Sequence, residues 1–405
     1  MNNELDRRLL LGAAGLAGIA ALSSSRAKAG PLTPPAGPVA STAKPLAELE
    51  PRTAINATNT PGDANSLFKI TQPGSYYLAG NITGVSGKHG IEFGVPGGIA
   101  SVTLDLNGFE LVGVAGSLDG INCPPNTAGI VIRGGGGTVR NWGGDGLNLS
   151  NVSGIARLEA LRSASNAGNG FTLGSRLLIT GCGAYGNSGR GFSGAADSAL
   201  CGCTAVSNTS DGFNLGIGVT VEGCTSTNNV GDGFVATAAT FRGCGARGND
   251  GAGFFIFNES IITACAATGN TASGIKLSGA GGIIDCVATG NGAEGILAAS
   301  DAIIRGNTCS GNGSAGTGAG IKVTGSSNRI EGNSSTNNDF GIQTGAGGNI
   351  ITGNTCSGNT TNWVITTNNY YGAIIDRTGV VTGAVAGDSA ASTLGTTDQH
   401  ANFTC

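Results

Sequence analysis

Apolar and polar residues alternate along this chain in short runs that return at a fixed interval. Gly170-Phe171-Thr172-Leu173, Gly274-Ile275-Lys276-Leu277 and Gly320-Ile321-Lys322-Val323 each place an apolar side chain at every second position. That is the spacing of a β-strand with one buried face. A glycine followed by Phe, Ile or Leu recurs at 146, 170, 191, 212, 233, 253, 274, 295, 320 and 341, mostly in steps of 20 or 21. No segment of this region carries a helical stripe. A unit this short, built of strands and Gly/Asn turns, is too small for a four-stranded propeller blade and unlike a helical solenoid repeat. It predicts one coil of a parallel β-helix, in which equivalent positions of successive coils stack about 4.8 Å apart.

Two further columns keep the beat. Asparagine stands at 166, 187, 208, 229, 249, 270, 291, 312, 338 and 359, and cysteine at 182, 203, 224, 244, 265 and 286, continued by Asn307, Asn333 and Asn354. The first predicts a buried ladder through Asn187, Asn208, Asn229, Asn249, Asn270 and Asn291, with each asparagine expected to tolerate a left-handed turn while its amide bonds the one above and below. Two inward apolar stacks are also predicted. One runs through Phe171, Phe192, Phe213, Phe234 and Phe254 into Ile275, Ile296, Ile321 and Ile342; the other runs from Ile179 through Leu200, Val221 and Phe241 to Ile351. A single coil cannot bury its own apolar face, so the rod needs covered ends.

The organisation that follows has four parts. Asp6-Arg7-Arg8 precedes a short apolar run, and Ala27-Lys28-Ala29 is a small-x-small cleavage site, so residues 1–29 read as a twin-arginine-type export signal, its apolar run too short for a stable bilayer anchor. Residues 30–54 are a Pro-rich linker. Residues 55–359 form the parallel β-helix, about twelve coils, with longer and less regular ones around His89-Gly90-Ile91 and Asp119-Gly120-Ile121. Residues 360–405, where the beat stops and Trp363, Tyr370 and Tyr371 gather, read as a C-terminal cap. The fold class is therefore all-β, a single-stranded parallel β-helix solenoid with short terminal caps.

Composition changes this picture little. Gly is 75 of 405 residues, which alone would suggest low complexity, but the phase of the repeat excludes it. Charged residues are 11% and the formal net charge is −4; removal of the signal leaves 17 basic and 23 acidic residues, a net charge of −6. No basic stripe is present, so nucleic acid is not an expected partner. With the signal removed, no integral membrane protein is expected.

Pro73-Gly74-Ser75-Tyr76-Tyr77-Leu78, Thr103-Leu104-Asp105-Leu106-Asn107-Gly108-Phe109 and units such as Ile304-Arg305-Gly306-Asn307-Thr308-Cys309-Ser310-Gly311-Asn312 resemble exported bacterial right-handed parallel β-helix repeat proteins of the pectate-lyase-like group, over roughly residues 65 to 375. The resemblance implies right-handedness, as does the general preference for right-handed crossovers. It implies little about activity, because the group includes lyases, glycosidases, epimerases, adhesins and proteins without known activity. It also implies that the cysteine column replaces an asparagine column. Neighbouring thiols on in-register parallel strands have their Cβ atoms farther apart than the usual ~3.8 Å of a disulfide. With one Met, two His and no spaced CxxC pair, no metal site is expected either. Buried free thiols are the expected state of the column, and export of an already folded chain from a reducing compartment fits it; the states of Cys123, Cys201 and Cys405 stay open.

The residue before each glycine forms an outward column: His89, Asp119, Asp145, Asn169, Arg190, Asp211, Asp232, Ala252, Ser273, Glu294, Ala319 and Phe340. In pectate-lyase-like proteins the face beside it usually binds glycans. Candidate catalytic residues are therefore Asp211, Asp232, Arg190 and Lys276, since a carboxylate pair beside a base can hold Ca²⁺ against an acidic sugar. Candidate glycan contacts are Asn214, Phe255, Lys276 and Glu294. Against catalysis, Asp-Gly is also a preferred turn pair whose carboxylate satisfies backbone N–H groups, Phe255 also suits a packing position, and His89 reads as an ordinary surface histidine. The polygalacturonase-type set, the Asp-Pro-His of alginate epimerases and the calcium-binding nonapeptide are all missing. The expected function is an exported, noncatalytic surface or extracellular scaffold or glycan-binding module, its partner a polysaccharide or a cell-envelope component, with no cofactor beyond Ca²⁺. The alternative is a polysaccharide lyase or glycoside hydrolase acting on an acidic polysaccharide.

Overall fold

The computed structural model describes residues 50–94, 101–125, 129–152, 154–313, 316–378 and 396–405. The signal at 1–29 and residues 30–49 of the linker lie outside the described residues. Each coil contributes one short strand to each of three parallel sheets, as in Phe171–Ser175, Leu177–Thr180 and Gly183–Tyr185. The first, glycine-led sheet has 14 strands and the second and third have 15 each, so the rod makes about fifteen coils, close to the dozen expected. Among the described residues no helix is long and apolar enough to cross a membrane.

The additional coils lie at the ends, where the glycine column is broken. Ser66 pairs with His89 and Phe68 with Ile91, so Leu67 occupies the glycine position of an N-terminal coil. Phe340 pairs with Thr361 and Ile342 with Trp363, so Asn362 occupies it beyond Asn359. Strands Tyr370–Tyr371, Ile374–Asp376 and Asn402–Thr404 continue the other two sheets. Inside the rod the glycine is dictated by space. A Cβ on Gly191 would stand 2.5 Å from Gly212 O and 2.9 Å from the Ala205 Cβ.

The core is a set of parallel stacks. Phe171, Phe192, Phe213, Phe234 and Phe254 lie face to face with centroids 4.6, 4.7, 4.7 and 4.9 Å apart. Ile179 to Ile351 fill the second stack, all buried. The third sheet buries Ile82, Leu111 and Val139 in its first coils and small inward side chains beyond them, among them Ala184, Ala205, Ser226, Ala246 and Ala267.

The predicted asparagine ladder is present. Each Nδ2 donates to the Oδ1 of the next asparagine from Asn187 to Asn291 at 2.9–3.0 Å, and the backbone N–H donates to the same oxygen. Trp142 precedes the ladder, its backbone N–H donating to Asn166 Oδ1 at 3.0 Å. One detail differs from expectation. The left-handed residue is the one before each ladder asparagine, as at Gly186 (φ 59°), Ser207 (φ 55°) and Asn228 (φ 52°), and the ladder side chains themselves sit on ordinary backbone. A further ladder, Asn328–Asn349–Asn369, closes the turn between the first and second sheets at 2.9 Å per step.

All eleven cysteines are free; Cys123 is buried, and Cys201 and Cys405 are exposed. The column thiols do the work of asparagine amides with weaker bonds. Cys286 Sγ donates to Ile262 O (3.5 Å), the acceptor one coil before the Ile283 O that Asn307 Nδ2 uses at 2.8 Å. The Cys286 N–H already donates to Asn307 Oδ1 at 2.9 Å. Cys286→Asn should therefore extend the amide ladder by one rung without loss of thermal stability, readable in a melting curve.

Candidate functional site

The outward column beside the glycines is itself a ladder, made by carboxylates and amides that each hold the backbone of the following coil. Asp119 Oδ1 accepts the Asp145 N–H (2.7 Å), Asp145 Oδ1 the Asn169 N–H (2.6 Å), Asn169 Oδ1 the Arg190 N–H (2.8 Å), Asp211 Oδ1 the Asp232 N–H (3.0 Å) and Asp232 Oδ1 the Ala252 N–H (2.6 Å). One oxygen of Asp211 and one of Asp232 are thus committed to backbone. The other oxygens differ.

Asp211 is brought together with Arg190 and Asn214. Its Oδ2 lies 3.3 Å from Arg190 Nε and accepts from Asn214 Nδ2 at 2.8 Å. Asp232, one coil on, faces the charge of Lys276, whose ammonium lies 4.2 Å from the centroid of Phe255. Phe255 and Phe257 have centroids 4.6 Å apart, giving a half-exposed aromatic pair beside one cation. Glu294 belongs to a separate group farther along. It accepts from Lys322 Nζ at 3.1 Å and from Ser273 Oγ at 3.0 Å.

Burial pushes the Asp232 carboxyl above its ordinary value; the Ala252 N–H opposes the shift, the Asp211 charge adds to it and Lys276 opposes it. Burial likewise raises Asp145, against bonds from Thr172 and Asn169 and with the Asp119 charge adding. Burial also acts upward on Glu294, but its own backbone N–H, Lys322 and Ser273 outweigh it and hold that carboxyl low. A raised carboxyl pKa means the folded chain binds more protons than the unfolded one just above the ordinary value near ~3.9. Stability contributed by Asp232 therefore falls as pH rises through that window. Asn169 already caps its neighbour with an amide, so Asp232→Asn keeps the cap and removes the buried charge. Its guanidinium midpoint relative to wild type should rise between about pH 4 and neutrality.

A polar network in the N-terminal coils was not foreseen. His89 is not an ordinary surface histidine: its side chain is only 17% exposed, and its Nδ1 accepts the Asp119 N–H at 3.1 Å. Asp119 Oδ2 accepts from Asn148 Nδ2 (3.2 Å) and Asp145 Oδ2 from the Thr172 hydroxyl (2.6 Å). The steps from His89 to Asp119 to Asp145 are 30 and 26 residues, outside the regular beat. The one available signal was their shared place before glycine.

A family described as NosD, periplasmic copper-binding protein, matches residues 218–383. The A-module of an Azotobacter vinelandii mannuronan C-5 epimerase is similar in structure at 18% identity, covering 74% of this chain and 89% of that one, with a TM-score of 0.48. A periplasmic alginate epimerase is similar at 12% identity over 73% of this chain and 83% of the other, TM-score 0.37. The chain is a parallel β-helix of stacked repeats. No curated protein matches it in sequence. The copper named for the matched family finds no fitting donor set here. Among the described residues no group of three or more His, Cys, Asp or Glu side chains could hold a metal ion, both histidines fall outside the matched span, and the one methionine is Met1. The column thiols point inward and donate to backbone carbonyls.

Proposed function

We propose that this chain is an exported, noncatalytic β-helix module that binds a polysaccharide along the outer face of its glycine-led sheet. The observation that carries this reading is the commitment of Asp119, Asp145, Asp211 and Asp232 to the backbone of the next coil, beside an aromatic pair and a cation at Phe255, Phe257 and Lys276. Carboxylates fixed as caps are scaffold; a half-exposed ring next to an ammonium offers a sugar one apolar face and one ionic contact. Export rests on the twin-arginine-type N-terminus.

The second reading is a lyase or hydrolase acting on an acidic polysaccharide, favoured by the raised carboxyls of Asp145 and Asp232, each beside a second carboxylate. One experiment separates them. Purified mature protein is titrated with polyuronides by calorimetry, while 232 nm absorbance and reducing ends are followed with and without Ca²⁺. Binding without new unsaturation or new ends is the expected result, and Phe255→Ala and Lys276→Ala should each weaken it about tenfold, the equivalent of ~1.4 kcal/mol. Product formation abolished by Asp232→Asn would overturn the noncatalytic reading.

A further inference from the structure

The outer face of the third sheet carries a pattern that the proposed glycan site does not use. In three successive coils the strand reads hydroxyl, small inward residue, hydroxyl: Thr308-Cys309-Ser310, Ser334-Ser335-Thr336 and Thr355-Cys356-Ser357, paired residue for residue. The rank that holds Ser310, Thr336 and Ser357 continues back through Thr289 and Thr268, with Val287 and Ala266 beside them. Over these five coils the two outward ranks hold eight hydroxyls and two apolar side chains, with no charge and no aromatic ring. Among the described residues none of the eight hydroxyls is engaged by a protein partner. The face is a lattice with about 4.8 Å between coils and ~6.6 Å between positions i and i+2 of a strand.

The lattice is also locked. Both turns flanking the three C-terminal coils are closed by amide ladders, Asn307–Asn333–Asn354 at 2.9 Å per step on one side and Asn312–Asn338–Asn359 at 3.0 Å on the other. In the coils of Thr268 and Thr289, and back to Cys182, one flank is the weaker thiol column. Five of the eight hydroxyls belong to threonine, whose β-branching restricts χ1 before any partner arrives, and preorganisation lowers the cost of binding.

We infer that this face binds ice. A soluble ligand needs no translational period, whereas a partner repeating at fixed spacing in two dimensions gains from every added coil. Hydroxyls held in register anchor ordered water, and the methyls between them are left under it. An ionic group would hold its own oriented hydration shell, and these five coils have none, Arg247 standing one coil before Thr268. A crystalline polysaccharide is met best by a row of flat aromatic side chains; these five coils carry none, and a single ring, Phe403, pairs with Thr355 at their C-terminal border. A second copy of the chain would bury eight hydroxyls that each need a matched partner.

The test is partition of the purified mature chain into slowly grown ice, together with inhibition of ice recrystallisation. Wild type should enter ice and stop grain growth. Thr308→Lys in the central coil, and the less exposed Thr336→Arg in the next coil as a second variant, should be excluded like an unrelated protein while keeping the wild-type melting curve. Thr240→Arg, outward on the second sheet, should behave as wild type. Exclusion of the wild type from ice, or retention of both lattice variants, overturns the inference. So does adsorption to microcrystalline cellulose or chitin, or dimerisation in the ultracentrifuge, if either is lost in Thr336→Arg.

Discussion

Asn229→Ala should lower the stability of the rod by about 3–5 kcal/mol, because it leaves several buried polar groups without partners at ~1–3 kcal/mol each. Asn229 Oδ1 accepts both the Asn208 N–H and Asn208 Nδ2 at 2.9 Å, and its Nδ2 reaches Ala205 O at 3.2 Å and Ser226 Oγ at 2.9 Å. Removal orphans the Asn208 backbone N–H, leaves Asn208 Nδ2 with only its longer bond to Ala184 O (3.3 Å), and strips Ala205 O of its side-chain donor. Cys244→Ala is the control. Its thiol makes long bonds to Val221 O (3.4 Å) and Arg242 O (3.5 Å), so the loss should stay near ~1 kcal/mol. Guanidinium midpoints of the two variants check the contrast. Equal losses would mean that the amide column acts as packing alone.

The ladder and the aromatic stack were legible because a period near 21 makes every inward position repeat itself. Where the constraint weakens, so does the signal. Asn362 fills the glycine position in the last coil of its sheet, where no following coil stands to collide with a side chain, and Leu67 fills it in the first, so neither coil shows in the glycine column. Asn328, Asn349 and Asn369 form a ladder only in the last coils, too short a run to stand out. The outward column was read correctly as a column, but sequence does not tell a carboxylate that caps the next coil from one that meets substrate. Both look like Asp before Gly. The distinction is a matter of which oxygen is engaged, and that depends on bonds such as Asp232 N–H to Asp211 Oδ1, made between residues a full coil apart. His89 shows the same limit, since its partner Asp119 lies across an irregular coil.

Phe213→Ala should cost about 3–5 kcal/mol, toward the upper end of that range for a large-to-small core change. Its ring is buried and stacked at 4.7 Å on both Phe192 and Phe234, so two ring faces lose their partner at once. The void cannot collapse, because the strands above and below are held in register by the sheet, with Phe213 paired to Phe192 and Phe234. Neighbouring deletions should then interact. Phe213→Ala with Phe234→Ala removes one shared stacking contact only once and should cost less than the sum of the singles. Phe171→Ala with Phe254→Ala, at the two ends of the stack, should add to within ~0.5 kcal/mol. Because each coil touches only its neighbours, the lesion in Phe213→Ala should also divide the rod. Hydrogen exchange should show amides around Phe213 opening while coils near Ile275 and beyond stay protected. A single global loss of protection in that variant would show that the fifteen coils unfold as one unit instead.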